Sequence, residues 1–341
     1  MLPLTTRAPA PTAQPYLVGV NSLRAVAALL VCLFHFTAGT LPERETVPFT
    51  KALFLRGYLG VDIFFVISGF IVPYSLLRQG YRLRSFGAYL RRRLVRLNPP
   101  AYAAMLLTVS QWLVTDKLVN HNTRYTSTLS GGRVLHNLFF TVPFSPHKWL
   151  VEACWTLATE FQFYLFLGLL FPLLFARRQA WWFVGLFIGL SALAGWQPVA
   201  HATFFANSPF FALGGAALLW QQGRLGGLGY GACLVLFTGL AAYHLGWYAA
   251  ATGLGTALAL SFRQTRIPGL DYVGRISYSL YLTHVLVGMT VEVGLAHFLA
   301  PTTAGRRTLI IGLCVGAALL GAALFYRWVE RPFIRLAARQ R

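Results

Sequence analysis

The chain has 341 residues, 56% of them hydrophobic and only 11% charged. Soluble domains carry about 25% charged residues, so an ordinary soluble fold is excluded. The net charge of +20 does not make the chain a nucleic-acid binder. Its arginines lie in blocks between apolar runs, above all in "RQGYRLRSFGAYLRRRLVR" and "RWVERPFIRLAARQR". Cytoplasmic loops show that pattern under the positive-inside rule.

In chain order, residues 1–16 are polar and Pro-rich and read as a disordered cytoplasmic leader. They do not read as a cleaved signal, because the next apolar run spans a membrane and lacks a small-residue cleavage site. Ten membrane spans are expected, at about 17–37, 57–77, 98–115, 150–175, 181–196, 203–220, 228–245, 247–262, 272–299 and 308–328. Each is near the ~20 residues that cross hydrocarbon. The arginines after the second span put that loop and both termini in the cytoplasm.

The third span opens on "NPP", where proline starts a helix. A polar loop at about 116–133 follows outside. The stretch "LHNLFFTVPFSPHKW" is apolar, short and Pro-interrupted, which fits a re-entrant or interfacial segment. The whole reads as one all-α polytopic membrane domain, 17–335, with a basic cytoplasmic tail at 336–341. The GxxxG spacings Gly185/Gly189 and Gly312/Gly316 read as sites of close helix packing. Cys32, Cys154, Cys233 and Cys314 stand alone in apolar segments, so neither disulfides nor a metal site is expected.

Ionisable groups inside a span cost several kcal/mol and are functional candidates by default. Here they are Arg24, His35, Asp62, Glu152, Glu160, His284 and Glu292. Arg24 and His35 are eleven positions apart on one helix. That returns to within about 20° of the same face, about 16 Å along the axis. The gap suits a long anionic ligand with its reactive end at His35. It equally suits a snorkelling arginine and an unrelated interfacial histidine. Asp62 falls near the depth of His35 and either orients its ring or caps a helix. Glu160 is deeper and either joins the site or pairs with Arg24. Arg93 and Arg96 share a helix face and either bind a phosphate-bearing ligand or serve topology alone. For His284, a hydrogen bond to another helix is the favoured role over a pocket lining.

Six stretches now stand in order: "LRAVAALLVCLFH", "GYLGVDIFFVISGFIV", "RRRLVRLNPPAY", "WTLATEFQFYLF", "GRISYSLYLTH" and "ERPF". Together they resemble the acyltransferase-3 family of integral-membrane O-acyltransferases, over about residues 17–335. The resemblance implies a helical membrane domain of about ten spans. It also implies transfer of an acyl group from cytoplasmic acyl-CoA, foremost acetyl-CoA, to a hydroxyl. The acceptor class implied is an exopolysaccharide, O-antigen, peptidoglycan or lipid-linked glycan, or in some relatives a small metabolite such as a macrolide. His35 matches the family's presumed catalytic histidine, separated by ten intervening residues from its arginine, here Arg24. Arg93 and Arg96 match the RxxR associated with acyl-CoA. Asp62 and Ser68 fall in the GVDxFFxxSGF motif, and Glu160 in the WSLxxE-type motif, where Thr156 replaces the usual serine.

The expected mechanism has His35 as general base, with Asp62 or Glu160 orienting it. The variant is prior acylation of His35 or Ser68. A single-step transfer is favoured, since the chain leaves no room for the extracytoplasmic hydrolase-like domain that many relatives carry. The expected location is a bacterial inner membrane, multi-pass, with donor, glycan acceptor and lipid as partners. A transporter or flippase without transfer activity is the competing class.

Overall fold

The computed structural model describes residues 19–38, 54–119, 121–176, 180–196, 203–262, 266–299 and 303–340. The leader expected at 1–16 and the last residue of the tail lie outside them. Among the described residues the regular structure is helical, with no strand. Apolar segments in hydrocarbon must satisfy their backbone groups internally, and a helix does so within one segment.

Among the described residues, six stretches are long and apolar enough to cross a membrane: Val20–Thr37, Gly57–Arg78, Cys154–Phe175, Gly227–Leu245, Ser277–Leu295 and Ala304–Arg339. They contain helices α1 (Val20–Ala38), α2 (Gly60–Arg78), α5 (Cys154–Phe171), α8 (Gly227–Leu245), α11 (Ser277–His284) and α13 (Ala304–Phe325). The other expected spans are also helical but fall outside those six. Helix α3 (Phe86–Val114) opens on the arginine block. Helices α6 (Trp181–Leu193), α7 (Ser208–Gln221) and α9 (Trp247–Ser261) have 13, 14 and 15 residues. Between α3 and α5 lies α4 (Gly131–Leu138), a short amphipathic helix whose N-cap Ser130 accepts from the Arg133 N–H at 3.1 Å.

Three boundaries differ from the sequence expectation. Pro99 and Pro100 do not open a helix but lie inside α3, which starts at Phe86. Their missing N–H groups free the carbonyls one turn back without ending the helix, because packing holds Pro100 buried. The expected span 272–299 is broken into α10 (Pro268–Arg275), α11, a π-helical turn at Val285–Met289, and α12 (Thr290–Leu299). The final span does not stop at 328. It passes through a second π-helical turn, Tyr326–Glu330, into α14 (Arg331–Arg339), which packs on α3. Much of the expected tail is therefore helix.

The core forms where α2 crosses α7. From Ser208 to Leu219 every residue of α7 is buried, as befits a central helix that is apolar all round. The crossing is close because it is made at glycines. A Cβ at Gly69 would collide with the Phe211 carbonyl, and one at Gly214 with the Val66 carbonyl. Phe70, Phe163, Phe210 and Phe211 fill the space around it. Helix α1 is gripped in the same way, with Gly57, Gly60 and Gly274 pressed on the carbonyls of Leu30, Ala27 and Asn21. The GxxxG pairs singled out in the sequence do not act so. A Cβ at Gly185, Gly189, Gly312 or Gly316 would meet nothing within 4 Å. Spacing fixes that two glycines share a face, but not which face is buried.

A polar clasp fixes the start of α1. The Asn21 amide donates to Asp271 at 2.9 Å, and Arg266 and Arg275 lie 2.8 and 3.5 Å from the same carboxylate. The Asn21 hydrogen bond and the Arg266 guanidinium hold the Asp271 carboxyl below its usual range. A group so shifted contributes stability above its unfolded value, about 3.9, and loses it as pH falls through the lower folded value. Thermal unfolding in detergent should therefore show Asp271→Asn costing stability at neutral pH and converging with wild type on acidification below about pH 4. Equal cost at all pH values would mean that the clasp is not electrostatic. Gly214→Val should destabilise by about 1–3 kcal/mol through overpacking, and Gly312→Ala should be neutral or stabilising by up to about 1 kcal/mol. The reverse order would refute the assigned crossing.

Candidate active site

Five helices enclose a cavity of about 210 Å³. Helix α1 brings Arg24, α2 brings Ser68, α3 brings Arg93 and Arg96, and α5 brings Glu160. Helix α11 closes the cavity with Ser277, Tyr278 and Tyr281. Each helix contributes through one face. Arg93 and Arg96 are three apart, and Thr156, Glu160 and Tyr164 follow at steps of four, which keeps each set on one stripe.

The lining is cross-braced. Arg24 Nε donates to Ser277 Oγ at 3.1 Å, and the Thr156 hydroxyl donates to Tyr281 Oη at 2.9 Å. Tyr278 Oη donates to the Leu97 carbonyl at 2.7 Å, tying α11 to α3. Ser68 Oγ donates to Glu160 Oε1. The Arg93 guanidinium lies over the Tyr164 ring, 5.0 Å from its centroid.

The charge balance is positive. Among the described residues, no carboxylate forms an ion pair with Arg24, Arg93 or Arg96. Arg24 feels Arg96 as a like charge and Glu330 and Glu160 as opposite charges, none of them in contact. Glu160 is engaged by Ser68, and Glu330 accepts from the backbone N–H and hydroxyl of Ser279 at 3.2 and 2.5 Å. A second cavity of about 230 Å³ shares Ser75, Arg93 and Arg96 with the first and is walled by Arg92 and by α14. Arg93 and Arg96 thus stand in the wall common to both.

His35 is not in the cavity lining. It lies beyond the aromatic wall: the Tyr281 ring, which lines the cavity, is 6.0 Å from the His284 ring, and that ring is 4.9 Å from His35. Phe64 stands beside Tyr281 at 5.8 Å in the same wall. His35 Nδ1 is 2.9 Å from the Val31 carbonyl and 3.2 Å from His284 Nε2. Neither Asp62 nor Glu160, the two carboxylates expected to orient His35, is hydrogen-bonded to it. Glu160 is turned into the cavity toward Ser68, and Asp62, in the first turn of α2, makes no hydrogen bond among the described residues. Arg24 likewise meets Ser277 rather than Glu160.

Sequence reading therefore finds Arg24, Ser68, Arg93, Arg96 and Glu160, which the fold brings together, and His35, which it sets apart. It misses Glu330. That carboxylate stands between Arg327 and Arg331 at the apparent end of the last span, so it passes for part of a basic tail. Its signal was its place in "ERPF". His284 does bond another helix, as favoured, and its partner is His35.

The family model described as "Acyltransferase domain" (the acyltransferase-3 family) matches residues 17–327. Among curated proteins, the chain is similar to "O-acetyltransferase OatA" of Staphylococcus aureus, 30% identical over 171 residues, covering 46% of this chain and 24% of that protein. It is similar to "Putative peptidoglycan O-acetyltransferase YrhL" of Bacillus subtilis, 31% identical over 159 residues, covering 44% and 23%. A further Staphylococcus aureus relative, named "Putative O-acetyltransferase", is 26% identical over 203 residues, covering 52% and 29%. The matches thus span less than a third of each relative's length. No solved structure matches.

Among the described residues Arg96 has no salt-bridge partner; it stands as a like charge to Arg24 and as an opposite charge to Glu330.

Proposed function

From the premise that the chain belongs to the acyltransferase-3 family, we propose that it transfers an acyl group, foremost acetyl, from acyl-CoA to a carbohydrate hydroxyl. The single observation that carries this reading is the cavity with Arg24, Arg93 and Arg96 facing it and, among the described residues, no carboxylate paired to them. Such a site is built for an elongated, multiply anionic ligand. Arg93 and Arg96, reached through the outer cavity, hold phosphates, and Arg24 holds a part nearer the middle. The arginine-rich end is cytoplasmic under the positive-inside rule. The acceptor enters from the opposite end, in a bacterial inner membrane. A carbohydrate acceptor is supported by the Bacillus subtilis relative, whose name specifies peptidoglycan.

His35 is the general base. It takes the proton of the acceptor hydroxyl as that oxygen bonds to the thioester carbonyl carbon. The C–S bond then breaks, its electron pair stays on sulfur, and His35 returns the proton to the leaving thiolate. No step runs through Asp62. A second reading is favoured by the Ser68–Glu160 contact inside the cavity. A serine donating to a carboxylate is an activated nucleophile, so Ser68 would take the acyl group first, with Glu160 as base. Trapping labelled acyl-enzyme without acceptor, lost in Ser68→Ala, separates two steps from one.

The purified full chain in nanodiscs should release CoA from acetyl-CoA only when a glycan acceptor is present. Acetyl-CoA left intact with every acceptor while solute crosses the bilayer would favour a transporter. Transfer to a macrolide but to no glycan would move the acceptor class. His35→Ala should lower kcat by about 10²–10⁴-fold. Arg93→Ala and Arg96→Ala should each raise KM for acetyl-CoA, by about tenfold or more for loss of a charged contact. Unchanged KM in both would leave the arginines with topology alone.

A further inference from the structure

The His35–His284 contact fixes more than ring orientation. His284 is wholly buried. Its Nδ1 is 3.1 Å from the Leu280 carbonyl and 2.8 Å from the Tyr281 carbonyl. Carbonyl oxygens only accept, so Nδ1 carries the proton. In a neutral imidazole the other nitrogen is then a lone-pair acceptor. That acceptor, Nε2, is 3.2 Å from His35 Nδ1. His35 Nδ1 also faces the Val31 carbonyl at 2.9 Å. Both partners of His35 Nδ1 are thus acceptors, and one N–H is shared between them.

We propose that His284 is a positioning residue that holds His35 in the Nδ1–H tautomer, leaving Nε2 as the free base. This rests on the reading of His35 as the general base. When His35 Nε2 takes the acceptor's proton, the new imidazolium already has its Nδ1–H directed at two acceptors, and His284 remains neutral throughout. An orienting carboxylate does this in many histidine-based sites. Here a buried neutral imidazole does it without placing a second ionised group in an apolar interior.

The fold supplies the approach. The π-helical turn after His284 sets Gly288 so close to Phe36 that a Cβ there would collide with the Phe36 ring. The two imidazoles meet edge to face at 62°, and the Phe34 ring also meets His35 edge to face, with centroids 5.2 Å apart.

The test uses the full chain in nanodiscs with acetyl-CoA and a glycan acceptor. His284→Leu should lower kcat by about 10–100-fold, the usual cost of losing an orienting partner, with KM for acetyl-CoA unchanged. His284→Gln, which keeps an acceptor oxygen, should recover most of that loss. In a His35→Ala background, His284→Leu should cost nothing further. Nitrogen NMR of histidine-labelled wild type, with His35 assigned by difference, should show a protonated Nδ1 and a bare Nε2 in the neutral ring. An Nε2–H tautomer overturns the proposal even if no variant folds. So does wild-type kcat in His284→Leu while His35→Ala is inactive. Normal transfer by His35→Ala would instead bring down the general-base reading, and this inference with it.

Discussion

Keeping positive charge unpaired inside an apolar protein is the constraint on which the rest of this structure depends. A guanidinium at a bilayer centre costs about 3 kcal/mol even on the mildest scale, and Arg24 lies within a helix long and apolar enough to span. A carboxylate partner would remove most of that cost, yet Glu160 and Glu330 are bonded to serines instead. The cation is instead held by weaker means: a serine for Arg24, an aromatic face for Arg93, and a cavity shared by all three. Such an arrangement survives only if the helices cannot shift to bring a carboxylate to an arginine. The close crossings at Gly69, Gly214, Gly57, Gly60 and Gly274 provide that rigidity. Small residues let backbones touch, and in lipid that contact is the main packing force between helices.

Much of this was legible in the sequence, for an identifiable reason. Polar side chains in apolar runs are rare and stand out singly, so Arg24, Ser68, Arg93, Arg96 and Glu160 could be found without a structure. The helices could also be placed, because length and hydropathy are local properties. What escaped was relational. Nothing near Gly185 or Gly312 in the chain says that those glycines face open space while Gly69 and Gly214 face a backbone. Nothing near His35 says that its partner lies 249 positions away. The proline pair reads as a helix start because proline fits the first turn, and here α3 begins at Phe86 and continues through it. Glu330 was hidden by its charged neighbours, and its burial depends on a helix that runs on past the apparent end of the span.

The two halves of the site differ in physical character. The arginine cavity is polar, braced and linked to a second cavity beyond it. The histidine pair sits past Tyr281 and Phe64, in a zone of rings. On the proposed function, a ligand held by its phosphates among the arginines has to reach through an aromatic wall before its reactive end meets His35. That reading separates phosphate recognition from proton transfer in space, with Tyr281 and Phe64 between them. Tyr281 is the hinge of that division. It lines the cavity, is held by Thr156, and its own carbonyl anchors His284. One residue therefore both shapes the cavity wall and anchors the buried His284 behind it. Any change at Tyr281 should disturb binding and chemistry together, whereas the arginines and His284 each touch only one of the two.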